Sequence, residues 1–316
     1  SARLVCHYYT EEAAMWRVLV AWKLGGKAVK ATQSSHNFGI STIQGRRPNQ
    51  EDRFAVVERL PGGNGCGFYA VYDGHGGDRA AQFACESLHQ RVTKSKAFAG
   101  KDLVVALQDA FYETETEFLN IAGREGLRDG TTAVVALVQE DRLTLAHVGD
   151  SRGVLCRGGT AIELTHDHKP ELEAEKRRIE ALGGFVSYIG CWRAMGILAM
   201  SRAIGDLFLK PYVSAEPEVS TVALETTDEF LVLASDGIFD VFDNDQVVRI
   251  VRSAHTPHEA ATLLTNSAFV AGSLDNLTAV VVALRGYKQH AIAARSPAEP
   301  CWMLSERGDM LSRPQS

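Results

Sequence analysis

Five acidic turns, each set beside an apolar run, constrain this chain more than any other feature. They are Glu51-Asp52 after Arg47-Pro48-Asn49-Gln50, Asp73 in Asp73-Gly74-His75-Gly76-Gly77, Asp150 in Gly149-Asp150-Ser151-Arg152, Asp236 in Ser235-Asp236-Gly237, and Asp275 in Asp275-Asn276. A strand end is a rigid place for a carboxylate. With no cysteine or histidine cluster among them, these acids suit a hard cation with oxygen ligands, Mg2+ or Mn2+, rather than zinc. A fold that gathers them would hold a polynuclear metal site, and such sites mostly hydrolyse phosphate esters.

The chain has 316 residues, 45% of them hydrophobic, enough for one large core or two small ones. The net charge is −6 and no basic stripe is present, which argues against a nucleic-acid partner. The densest basic run, Lys176-Arg177-Arg178, lies beside Glu173 and Glu175 and reads as a solvated helix face. The six cysteines show neither zinc-pair nor redox spacing and read as reduced thiols. Ala13 to Leu24 is too short to span a membrane, carries Arg17 and Lys23, and lacks the marks of a secretory leader. A cytoplasmic location, extending to the nucleus, is the expectation.

Thr10 can cap an amphipathic helix that ends at Gly25-Gly26 and docks on the main body or on a partner. Strand signals follow at Phe38 to Ile43, Phe54 to Leu60 and Gly67 to Tyr72. Helices are predicted over Arg79 to Val92 and Asp102 to Ile121, the second from Leu103, Leu107, Phe111 and Phe118. Hairpins are predicted around residues 139–142 and Gly158-Gly159, then a charged helix from Glu171 to Leu182. Beyond an irregular stretch come strands near Val219 to Leu224 and Phe230 to Ala234. Helices near Gln246 to Ser253 and Pro257 to Ala271 precede a last strand, Leu277 to Leu284. Hairpin-linked strands alternating with helix pairs mean an α+β fold.

From His36 to Gly286 the chain resembles the metal-dependent serine/threonine protein phosphatases of type 2C. To the turns above it adds, in the family's order, Asp129-Gly130-Thr131-Thr132-Ala133, Asp167-His168-Lys169-Pro170, Gly196 through Asp206, and Ser235 through Asp240. The resemblance implies a four-layer α-β-β-α sandwich of two antiparallel sheets flanked by helices, with the metals at one edge. It divides the chain into an N-terminal extension (1–36), a catalytic domain (37–286) with a flap near 166–195, and a C-terminal tail (287–316).

The resemblance also assigns roles. Asp73 would bridge two ions, with the Gly74 carbonyl beside it and Glu51 on the second ion. Asp236 and Asp275 would complete the first ion, and Asp150 with Asp236 a weaker third position. Asp52 would steady a metal-bound water. Arg47 would fork onto the phosphate, and His75 would protonate the departing alkoxide. The implied reaction is attack of a metal-bridging water on phosphoserine or phosphothreonine in protein substrates, by a monomer. In the flap Trp192 could contact substrate or simply pack, and Ile189 stands where some plant members carry a receptor-contacting tryptophan. Phe239 stands where many members have tryptophan.

Two alternatives belong to other classes. One is a catalytically silent phosphoprotein-binding scaffold on the same fold, which a lost ligand acid would mark. The other is a haloacid-dehalogenase-type phosphatase using Asp243-Asn244-Asp245, although that triplet opens a helix and suits a cap better.

Overall fold

The computed structural model describes residues 18–20, 38–63 and 65–287. In chain order the elements begin with β1 (Val18–Val20), β2 (Phe38–Ile43), β3 (Arg53–Val57), β4 (Gly67–Tyr72) and β5 (Gly74–His75). Next come α1 (Arg79–Lys94), α2 (Lys96–Ala99), α3 (Leu103–Glu125), β6 (Gly130–Thr131), β7 (Ala133–Val138), β8 (Arg142–Val148), β9 (Arg152–Arg157) and β10 (Thr160–Glu163). They are followed by α4 (Glu173–Ala181), β11 (Val186–Ile189), β12 (Cys191–Ala194), β13 (Ile204–Gly205), β14 (Glu218–Ala223) and β15 (Asp228–Ala234). The last are α5 (Asp236–Phe239), α6 (Asn244–Arg252), α7 (Pro257–Val270) and β16 (Leu277–Ala283).

Two antiparallel sheets stack face to face, ordered β1-β3-β4-β7-β8-β14 and β10-β9-β15-β16-β2. Strand alternation explains why both faces of each are buried. In β4, Phe68, Ala70 and Tyr72 point to a core shared with α1 and α3. Tyr69 and Val71 point instead to the inter-sheet core. In β15, Phe230, Val232 and Ala234 face α6 and α7, whereas Leu231 and Leu233 face the other sheet. A near-continuous apolar run is what a doubly covered strand requires. The α-β-β-α layering therefore agrees with the expected architecture.

Helix ends follow local chemistry. Asp102 caps α3 by accepting from the Val105 N–H, at 3.1 Å. Asp243 accepts from the Gln246 N–H at 2.7 Å while Gln246 Oε1 accepts from the Asp243 N–H at 2.8 Å, a capping box at the start of α6. Asp243 thus serves as the helix cap that the sequence favoured. Among the described residues, no helix is long and apolar enough to cross a membrane.

Two sequence expectations need correction. Most of the proposed N-terminal helix, and the tail beyond Tyr287, lie outside the described residues. The part that is described, Val18–Val20, is strand, with Val18 opposite Val57 and Val20 opposite Ala55. Backbone pairing along the edge of β3 overrides the helical period there. The stretch expected to be irregular contains a hairpin, β11–β12, with Val186 opposite Ala194. Its turn is made by Gly190 at φ 74°, a left-handed conformation that a side chain would oppose.

Candidate active site

The ends of both large sheets meet at one edge. Asp73 follows β4, Asp150 follows β8, Asp236 follows β15, and Asp275 precedes β16. Glu51 and Asp52 lie just before β3.

The backbone around each acid is held from a second segment. Thr132 Oγ1 accepts from the Asp73 N–H at 3.1 Å, and the Asp73 carbonyl accepts from the Thr132 N–H at 2.9 Å and from Thr131 Oγ1 at 3.1 Å. This is the structural use of the Asp129–Ala133 motif. Asn276 Oδ1 accepts from the Glu51 N–H at 2.8 Å, while its Nδ2 donates to the carbonyls of Gln44 at 2.8 Å and Asn49 at 2.9 Å. One amide thus fastens the β2–β3 loop to the loop that carries Asp275. Ser235 Oγ donates to Asp52 Oδ2 at 2.9 Å and accepts from the Thr278 N–H at 3.1 Å. The backbone of Gly74 lies against the Glu51 carbonyl.

The electrostatics show that the carboxylates share one space. Burial pushes the Asp73 carboxyl well above its usual range, and Asp236, Asp52, Asp150 and Asp275 add to the effect. Burial does the same for Asp236, with Asp150, Asp240 and Asp275 contributing, and the Asp236 and Asp73 carboxyls are within hydrogen-bonding reach. Burial raises Asp52 to about 7. Glu51 is raised first by burial, and Arg47, Asp78, His75 and Asp129 act on it, which sets it toward the His75 side of the cleft. Asp52 Oδ1, Asp150 Oδ1 and Asp236 Oδ1 are buried without a hydrogen-bond partner. Buried acids that oppose each other's ionisation, with oxygens left over, form a donor set that a hard divalent cation satisfies. The residues therefore fit Mg2+ or Mn2+.

Basic groups ring this cluster. Arg47 Nη2 donates to Asp275 Oδ2 at 2.6 Å, which raises the guanidinium pKa, and the Arg47 side chain stays 55% exposed at the mouth of the cleft. Lys169 Nζ lies 2.5 Å from Asp150 Oδ2. Burial works against that ammonium, yet Asp150 holds its pKa above the usual value. Arg152 grips Asp167 with two hydrogen bonds of 2.8 and 2.9 Å. Its guanidinium lies 5.0 Å from the centroid of the Phe239 ring, so phenylalanine at that position supports a cation–π contact.

His75 sits in a small sheet ordered β13-β6-β5. Its Nε2 lies 2.8 Å from Asp206 Oδ2, and Asp206 is 2% exposed. Gly130 runs beside the pair, where a Cβ would come within 2.1 Å of Asp206 Oδ2 and 2.3 Å of His75 Nε2, so only glycine fits. In the flap, the Trp192 and Tyr188 rings pack edge to face at 5.5 Å and both remain exposed.

The structure thus brings Asp52, Asp73, Asp150, Asp236 and Asp275 into one electrostatic cluster, with Glu51, Gly74, His75 and Arg47 around it. Sequence reasoning gave no role to Asp206, Asp240, Lys169, Ser235 or Asn276. Asp240 was findable, because it follows Asp236 by four residues and so shares its side of a helical turn. Burial, then Asp275, raises its carboxyl. Asp206 gives no local sign of pairing with a histidine far away in sequence.

Fold and site together define a phosphoester-hydrolase type of centre on a two-sheet sandwich, and the comparisons agree. The family model described as "Protein phosphatase 2C" matches residues 36–277. The chain is 42% identical over 248 residues to "Probable protein phosphatase 2C 59" of Arabidopsis thaliana, covering 78% of this chain and 79% of that protein. It is 41% identical over 246 residues to "Probable protein phosphatase 2C 45" of Oryza sativa subsp. japonica, covering 78% and 86%. Among solved structures, serine-threonine phosphatase 2C from Toxoplasma gondii superimposes with TM-score 0.76 at 25% identity, covering 86% of this chain and 99% of that one. The chain belongs to the protein phosphatase 2C family, whose members are serine/threonine protein phosphatases.

Proposed function

We propose that this chain hydrolyses phosphoserine and phosphothreonine in protein substrates with the help of Mg2+ or Mn2+. The observation that carries the reading is the buried carboxylate cluster with its orphaned oxygens at Asp52, Asp150 and Asp236. Asp73, Asp236, Asp275, Glu51 and the Gly74 carbonyl would hold two ions, and Asp150 with Asp236 a third. Bound ions supply Lewis-acid charge that neutralises the phosphate and makes water a better nucleophile.

The chain's own groups do the rest. Arg47 binds phosphate at the mouth of the cleft, its fork oriented by Asp275. His75 gives a proton to the leaving serine or threonine oxygen, its ring fixed through Nε2 by Asp206. Asp52, held by Ser235, orients water within the cleft. Every candidate acid is present, so nothing supports the silent-scaffold alternative. The buried Cys66 and Cys156 form no disulfide, which accords with a reducing compartment such as the cytoplasm or nucleus.

Hydrolysis of a phosphothreonine peptide with Mn2+, with Mg2+ and with excess chelator tests the proposal. Turnover is expected with either ion and is expected to vanish with the chelator. Full activity in chelator would refute the metal requirement.

A further inference from the structure

The phosphate-binding Arg47 has a neighbour that none of the roles above uses. Arg46 Nη1 donates to the Ser273 carbonyl at 2.8 Å, and its guanidinium carbon lies 4.8 Å from the centroid of the Phe269 ring. Arg47 Nη2 donates to Asp275 Oδ2 at 2.6 Å. Two consecutive arginines therefore grip Ser273 and Asp275 and hold Leu274 between the two points of attachment. The same rim is tied to the end of α7, because the Gly272 N–H donates to the Phe269 carbonyl at 3.3 Å and the Ser273 N–H to the Ala268 carbonyl at 3.1 Å.

What this fixed rim presents to solvent is apolar. Leu274 and Val270 are each 71% exposed, and Phe269 is 38% exposed. Arg46 does not make the rim a second anion site, since its guanidinium is turned to a carbonyl and an aromatic face. A single exposed apolar side chain is ordinary on a protein surface. Here three stand within one short segment, 269–274, beside the guanidinium that receives the phosphate. Leu274 is one residue from Asp275, and consecutive Cα atoms are about 3.8 Å apart. An extended polypeptide advances about 3.3–3.6 Å per residue. A chain whose phosphate rests on Arg47 therefore brings the residues flanking its phosphorylated position within reach of Leu274.

We propose that this rim, centred on Leu274 with Val270 and Phe269 beside it, selects phosphoserine and phosphothreonine sites flanked by an apolar residue. The proposal rests on the phosphatase reading of the cleft and names its substrate class. The occupant of the rim is the substrate chain itself, because the rim is continuous with Arg47 through the Arg47–Asp275 pair. An apolar flanking side chain gains by leaving water against Leu274, whereas a glycine has nothing to bury there.

The test is kinetic, on the full chain with Mn2+ and three phosphothreonine peptides. One has glycine on both sides of the phosphothreonine, one has leucine just before it, and one has leucine just after it. p-Nitrophenyl phosphate, which has no flanking chain, is the reference substrate. One leucine peptide should exceed the glycine peptide about tenfold in kcat/KM, chiefly through KM. Leu274→Ser, at an exposed position, should bring that ratio close to one, and Leu274→Met should keep it. A ratio near one in the unaltered chain, or a ratio that survives in Leu274→Ser, would overturn the proposal and leave the phosphatase reading standing. An equal change for all three peptides in Leu274→Ser would assign the rim to something other than the substrate and overturn it as well. No turnover of any of the four substrates would instead sink the phosphatase reading, and this proposal with it.

Discussion

The interface between the two sheets and the acid edge of the same sheets are built from the same strands on opposite rules. Between the sheets, Val71, Val134, Leu145, Leu155, Leu231 and Val280 fill space with apolar atoms that satisfy one another. At the edge, Asp73 and Asp236 are half-buried, and Asp236 opposes the ionisation of Asp73. The first region is complete as folded. The second costs stability, and a cation bound between the acids would offset that cost. A rigid interior is what lets the edge hold that arrangement.

Substitutions should separate the two regions. Asp236→Asn should lower turnover by roughly 10³-fold or more, yet raise the melting temperature in chelator, because one repelling charge is gone. A fall in chelator-treated stability would contradict the contrast. Leu231→Ala, between the sheets, should cost about 2–5 kcal/mol of unfolding free energy with or without metal. A metal-dependent penalty would blur the distinction.

The apolar layer under α1 and the acid edge should also respond oppositely to pH in chelator. His89, buried against Phe68, has its pKa lowered to about 4 by burial. Its folded form binds its proton less readily than the unfolded chain, so its contribution is complete above pH about 6.5 and lost as pH falls toward 4. The loss is on the order of 3 kcal/mol, and His89→Leu should remove it from chemical-denaturation curves. Asp52 runs the other way. Its raised pKa, about 7, makes its contribution complete below the unfolded value and lost as pH rises through 7. Asp52→Asn should flatten that rise-dependent loss. The smallest effect expected is at the rim, where Arg47→Ala should raise KM about tenfold with kcat little changed. A kcat loss equal to that of Asp236→Asn would move Arg47 into the transition state proper.

Much of this was legible from the chain. The unbroken run Gly67–Tyr72 announced a strand covered on both faces, and the turn residues beside Asp73, Asp236 and Asp275 announced acids at strand ends. The cluster's membership followed from motif order. What stayed hidden depends on meetings between distant segments. Arg47 pairs with Asp275, His75 with Asp206, and Asn276 with the Gln44–Glu51 loop, and no local pattern reports such pairs. The β11–β12 hairpin was missed because its two strands run only four residues each, too short for alternation to stand out. Val18–Val20 read as helix because the edge of β3 that it pairs with is invisible to a window of neighbours.

The order in which strands enter the second sheet has a temporal meaning. β2, near the start of the described chain, lies beside β16, near its end, and Asn276 joins the same two segments at the cleft. A chain growing from the ribosome leaves β2 without that neighbour and Glu51 without its tether until Leu277–Ala283 has emerged. Until then the cleft lacks both Asp275 and the Asn276 amide that ties its two loops together.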